Sequence, residues 1–208
     1  MAGDVDICNL ALAHLGDSAT VTSLDPPEGS AQAEHCARFY PIARNALLAL
    51  HAWGFATTRA PLAPLGSSPS PWWSHAYALP QDTLSVLAVL APDAGDDYLQ
   101  AGQATPQPFS CEVDALGQRI VLTNQPGALL RYTRVELDAG RFPPLFTLTL
   151  SWQLAGMLAG PLIKGEAGAA EAKRCAQMAQ AYLAQATRHD ASQQRAVLEP
   201  VADWIQGR

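Results

Sequence analysis

Histidine, cysteine and carboxylate side chains are where this chain could do acid–base, nucleophilic or metal chemistry, and their spacing restricts all three. The five histidines, His14, His35, His51, His75 and His189, are scattered. Only His35 stands beside a cysteine, Cys36, as a ligand pair or a nucleophile with its base would. Adjacent residues on a helix point about 100° apart, so the two cannot easily converge on one ion. Cys36 falls in the apolar stripe of its helix and His35 on the flank. The four cysteines, Cys8, Cys36, Cys111 and Cys175, form no CxxC pair, so neither a zinc framework nor a redox motif follows. Asp93, Asp96 and Asp97 around Gly95 resemble part of a calcium loop, but the spacing and terminal Glu of an EF-hand are missing, and a solvated turn is expected. Dinucleotide, phosphate-loop, nucleophile-elbow and zinc-protease motifs are absent from the sequence. The sequence therefore assigns no catalytic, cofactor-binding or metal-ligating residue. The alternative is an enzyme or small-molecule-binding protein with an unrecognised pocket, lined by His51, Trp53 and Trp72.

The chain must also be able to fold around any such residues. Its 208 residues are 49% hydrophobic and 15% charged, which suits one domain, or one domain with an insertion, and excludes a disordered protein. Thirteen Lys and Arg against nineteen Asp and Glu give a net charge of −6, a poor balance for gripping nucleic acid through its phosphates. Between Gln81 and Ala115 every charged residue is acidic: Asp82, Asp93, Asp96, Asp97, Glu112 and Asp114. Such a run is either a solvated edge or a surface that repels a polyanion, as the lining of a DNA conduit would. Asp4 and Asp6 occupy the start of the chain, where a secretory leader needs basic residues, so reduced structural thiols are expected.

Periodicity predicts four helices. The first runs from about Asp4 to Leu15 with Ile7, Leu10, Ala11 and Leu15 as its stripe, closed by Gly16. The second, Ser30 to Trp53, carries Ala33, Cys36, Ala37, Tyr40, Ala43, Leu47 and Leu50, with a kink or break at Pro41. The third, Pro144 to Ile163, has no charge and is long enough to span a bilayer. Its bulky residues Phe146, Leu150, Leu154, Met157 and Leu158 recur at helical spacing, which marks one face of a core helix instead, and Pro161 is expected to break its last turn. The fourth, Glu166 to His189, presents Ala172, Cys175, Ala179, Tyr182 and Ala186.

Between the second and third helices, Arg59 to Pro80 reads as an ordered loop rich in Pro, Ser and Trp. Strand chemistry follows at Leu84–Leu90, Phe109–Val113, Arg119–Thr123 and Leu129–Val135. The expected fold is thus mainly α: a four-helix bundle with an inserted small antiparallel β element and an extended C-terminal tail. The helical part comprises residues 1–58 and 140–189, the loop and β insertion 59–139, and the C-terminal docking segment 190–208. In that last segment Val197, Leu198, Val201, Trp204 and Ile205 either fold back on the bundle or dock into a partner's groove.

Five segments together carry a family resemblance: Asp6–Asp17 (DICNLALAHLGD), Ala43–Thr57, Tyr77–Val89, Gly117–Asn124 and Leu129–Leu162. In content and order they resemble the head-to-tail adaptor proteins of short-tailed, double-stranded DNA phages, also called tail tubular protein A, over nearly the whole chain. The chain departs from the family at Arg141-Phe-Pro-Pro144, where acidic residues often precede the third helix. The resemblance implies a non-catalytic virion protein of the neck or tail, assembled in the host cytoplasm and needing no cofactor. Its copies would form a twelve-membered ring beneath the portal protein, extend the DNA channel and give the tail nozzle protein, and in some phages the tail fibres, a platform. Genomic double-stranded DNA would pass through without specific binding, and no membrane would be involved. On this basis Val197, Leu198, Val201, Trp204 and Ile205 are the expected portal-docking residues, and Asp96 and Asp97 the expected channel-lining ones. The β insertion would face the nozzle.

Overall fold

Capping interactions set the helix starts. The Asp6 carboxylate accepts from the Gly3 N–H at 2.9 Å at the entry to α1 (Asp4–His14), and Ser30 accepts from the Ala33 N–H at 3.1 Å at the entry to α2 (Ala31–Ala49). Gly16, with φ of 75°, supplies the left-handed residue just beyond α1. Pro144 opens α3 (Pro144–Ile163), where its missing N–H costs nothing. Lys164 and Gly165, at φ 62° and 60°, reverse the chain into α4 (Gly165–Gln193). Neither internal proline ends its helix. Pro41 is exposed, so water can take up the carbonyl it frees, and α2 runs through it. Pro161 lies within the last turn of α3, which continues to Ile163.

The computed structural model describes residues 2–66, 70–92 and 106–193. Among the described residues one unit is built from those up to Ala56 and from Val135–Gln193, the other from Thr57–Arg134. In the helical unit α3 packs against α1, α2 and α4. Its buried face is wider than the bulky stripe: Phe146, Leu150, Leu154 and Leu158 are joined by Thr149, Ser151, Ala155 and Ala159. Among the described residues α3 is the one helix long and apolar enough to cross a membrane, and here it packs against each of the other three. Small residues bring α3 and α4 together. A Cβ on Gly156 would sit 3.6 Å from the Ala172 carbonyl, and one on Gly168 only 3.0 Å from that of Ala159.

The β unit holds seven strands among the described residues: β1 (Thr57–Pro61), β2 (Ala63–Pro64), β3 (His75–Ala78), β4 (Thr83–Leu90), β5 (Phe109–Val113), β6 (Arg119–Thr123) and β7 (Leu129–Arg134). They form two antiparallel sheets, ordered β1-β7-β4 and β2-β3-β6-β5. Alternation assigns their faces. Tyr77, Val121, Val89, Leu130 and Tyr132 come from both sheets into one core with Leu62 and Leu79. Ala76, Ile120 and Leu122 pack on the opposite face of the four-stranded sheet beside Leu65 and Trp73.

The expected mainly α four-helix bundle with a small β element is therefore corrected to an α+β fold, with 47% helix, 22% strand and two sheets of three and four strands. The reason lies in Arg59–Pro80. Read as loop, this stretch contains part of β1 and all of β2 and β3. β2 and β3 have two and four residues, too few for a period to emerge, and Pro61 and Pro64 fall in the edge strands β1 and β2, where proline is tolerated. The fourth helix also runs on to Gln193, so residues 190–193 belong to it and not to a tail.

Candidate functional site

The closest approach to a catalytic pair is in the helical unit. His14, in the last turn of α1, places Nε2 3.0 Å from Ser151 Oγ of α3. Ser151 is fully buried, and its hydroxyl donates to the Leu148 carbonyl at 2.9 Å. With that proton committed, His14 Nε2 must be the donor to Oγ, the reverse of what a base activating a nucleophile would do. The imidazole stacks on Trp152 with ring centroids 3.6 Å apart and planes within 6°. Arg174 lies over the other ring of this stack, 5.1 Å from the Trp152 centroid, and donates to the His14 carbonyl at 2.9 Å. Burial, and then the Arg174 charge, hold the His14 pKa below its ordinary value. The pair works as a neutral clasp between α1 and α3.

Of the expected pocket lining, His51 and Trp53 meet edge-to-face with ring centroids 4.9 Å apart. Trp72 belongs to the β unit and is exposed. Trp53 is buried, donates from Nε1 to the Leu47 carbonyl at 3.0 Å, and meets Phe146 edge-on at 5.0 Å. His51 Nε2 lies 3.1 Å from Asp190 Oδ2, and the Gly54 N–H donates to the same carboxylate at 3.0 Å. Asp190 thereby ties the last turn of α4 to the loop after α2. Sequence reading placed this buried residue in the C-terminal segment. Its partners lie 139 and 136 positions away, and no local pattern marks them.

Cys36 is buried facing Cys8, while His35 stacks on Phe39 at the helix flank. The Cys8 thiol holds its proton well above the ordinary range because it hydrogen-bonds to Cys36 and is buried. Among the described residues, no three His, Cys, Asp or Glu side chains converge as metal ligands. Three members of the acidic run are engaged locally. Asp82 accepts from the Tyr132 hydroxyl, Glu112 from Ser110, and Asp114 from the N–H groups of Leu116 and Gln118 in the β5–β6 turn.

No protein-family model matches the chain, and no curated protein does. The expected portal-docking residues Val197, Leu198, Val201, Trp204 and Ile205 lie outside the described residues, as do Asp93 and the expected channel-lining Asp96 and Asp97. Surfaces that could take a partner remain. A mostly apolar groove of about 510 Å³ runs between α3 and α4, walled by Leu50, Met157, Ala176 and Leu183 with Gln153 and Gln180 at its polar points. In the β unit, Val113 and Leu116 stand exposed on the β5–β6 hairpin.

Proposed function

We propose that this chain is a structural virion protein, a head-to-tail adaptor. Its copies form a ring under the portal of a short-tailed phage, extend the DNA channel and give the tail nozzle its platform. One observation carries the reading: the five segments that resemble the family follow one another in the family's order along nearly the whole chain. The chain order found in the fold is compatible with it, since a β unit interrupts a helical unit between α2 and α3. Portal docking falls to Val197, Leu198, Val201, Trp204 and Ile205. Channel lining falls to Asp96 and Asp97, whose like charge would repel DNA and let it slide without being held.

The test is size measurement of the full chain mixed with the portal ring of its own phage. The expected product is a portal–adaptor ring complex, and a chain that ignores the portal overturns the reading. Truncation must begin after Gln193 so that the Asp190 bonds survive. That truncated chain is expected to lose the portal. If it binds as the full chain does, the docking residues are wrong while the adaptor reading stands.

A further inference from the structure

Strand β5 ends the four-stranded sheet, and the hairpin that follows it fixes which way its backbone points. The Asp114 N–H donates to the Gln118 carbonyl at 2.9 Å, which makes 114 and 118 a hydrogen-bonded pair. In an antiparallel ladder such pairs alternate, so Glu112 with Ile120 and Ser110 with Leu122 are the next two. The N–H and C=O groups of Phe109, Cys111 and Val113 therefore point away from β6, toward the open edge. The same three side chains share the face of Val121, the core face. Phe109 is packed on that core, but Cys111 is exposed and Val113 is 63% exposed. At the turn, Leu116 is 91% exposed. Backbone and apolar face thus run out of partners along one line.

The other three strand edges among the described residues carry protection that β5 lacks. β2 is two residues long and ends in Pro64, β1 ends in Pro61, and β4 breaks register between Thr83 and Ser85 and between Val86 and Ala88. β5 has no proline and keeps a regular register with β6; just before it the Gln107 N–H donates to the Val89 carbonyl of β4 at 2.7 Å, so among the described residues the edge without a backbone partner runs from Phe109 to Val113. Among the described residues of a second copy, β5 is the strand edge that is equally open.

We propose that β5 is a self-association edge, pairing antiparallel with β5 of a second copy about a two-fold axis at Cys111 and joining two four-stranded sheets into one. The register is self-complementary. Phe109 meets the second copy's Val113 on the apolar face, so the exposed valine gains an aromatic neighbour. On the opposite face Ser110 meets Glu112, and a serine already reaches that carboxylate at 3.1 Å within one chain. No carboxylate faces its own copy. The axis falls on a hydrogen-bonded pair, Cys111 with Cys111, whose Cα atoms come about 5.5 Å apart. A five-residue pair buries less than the roughly 1,000 Å² of a stable interface, so the association is weak and depends on concentration. The proposal goes beyond the adaptor reading and stands on the strand alone, with a readout that needs no portal.

The test uses the full chain, reduced, followed by sedimentation from micromolar to millimolar concentration and trapped with a short bis-maleimide. Cys111 is the exposed thiol, Cys8, Cys36 and Cys175 being buried. Expected are a monomer–dimer equilibrium and a covalent dimer that disappears in Cys111→Ser. Val113→Pro removes an edge-facing N–H without touching the β6 ladder and should weaken dimerisation about tenfold or more. Val113→Lys, which places a charge on the edge, serves if the proline variant fails to fold. A chain that stays monomeric at millimolar concentration overturns the proposal. So do assemblies that grow past the dimer, or trapping through Cys111 that is undiminished in the folded edge variants.

Discussion

Asp190 accepts from both His51 Nε2 and the Gly54 N–H in a buried setting, so removing its carboxylate strands a backbone donor as well as an imidazole. Asp190→Ala should lower unfolding free energy by about 1–3 kcal/mol, read from the shift in urea midpoint at unchanged m. Because the two side chains act as a unit, His51→Ala in that background should cost far less than in the wild type. Equal costs in both backgrounds would remove the strut. His14 makes a second prediction at this scale. Its folded pKa lies below the ordinary 6.5, so on acidification the unfolded chain takes up the proton first. Its contribution is complete above the unfolded value and is lost as pH falls below it, levelling off once the folded form also protonates. Urea unfolding between pH 7.5 and pH 5 should show this loss reduced in His14→Gln. An identical decline in that variant would assign the acid sensitivity to other groups. Neither clasp was legible in the sequence, since Ser151 and Asp190 lie 137 and 139 positions from their histidines and sequence spacing reports only local neighbours.

At the scale of elements, helical periodicity carried most of what could be read, and its errors were errors of phase. In α1 the buried residues are Ile7, Cys8, Ala11 and Leu12, so the stripe turns toward Cys8 and Leu12 and away from Leu10 and Leu15. Leu50, read as the end of the α2 stripe, is exposed, whereas Arg44 is buried with its guanidinium over Tyr40. A stripe gives the face but not its edges, because long side chains can bury their stems from a neighbouring position. β1 and β3 stayed hidden because their strand character comes from pairing with β7 and β6, far along the chain, and the two-residue β2 pairs in turn with β3. The α3–α4 seam yields a paired prediction. Gly168→Ala would press a Cβ to 3.0 Å from the Ala159 carbonyl, and backbone cannot yield as a side-chain tip can. It should cost about 1–3 kcal/mol despite the better helix propensity of alanine. Gly156→Ala finds ordinary contact at 3.6 Å and should be neutral or stabilising by up to about 1 kcal/mol. Thermal melts of both variants check the contrast. Equal shifts would mean that packing does not distinguish the two glycines.

For the whole molecule, the order of helices and strands was legible from composition shifts, while the balance between them was not, because three of the seven described strands, β1 to β3, fell in a stretch read as loop. The pairing of the β unit's first and last strands has a consequence for the entire chain. Thr57 lies opposite Thr133 in the β1–β7 ladder, so the strand entering the unit runs beside the strand leaving it. Paired Cα atoms are about 4.5–5.5 Å apart, a gap that a short Gly-Ser linker spans easily. Replacing residues 57–134 by such a linker leaves intact the core around Trp53, Phe146, Leu150 and Leu154, the α3–α4 seam and both histidine clasps, all of which lie in the helical unit. The shortened chain should keep a helical circular-dichroism spectrum and melt in one cooperative transition. Under the adaptor reading it also keeps residues 194–208, so it should still bind the portal while losing the nozzle. A shortened chain with helical signal but no cooperative melt would show that the helical unit needs the β unit to pack, and the division into two units would then describe geometry without independent stability.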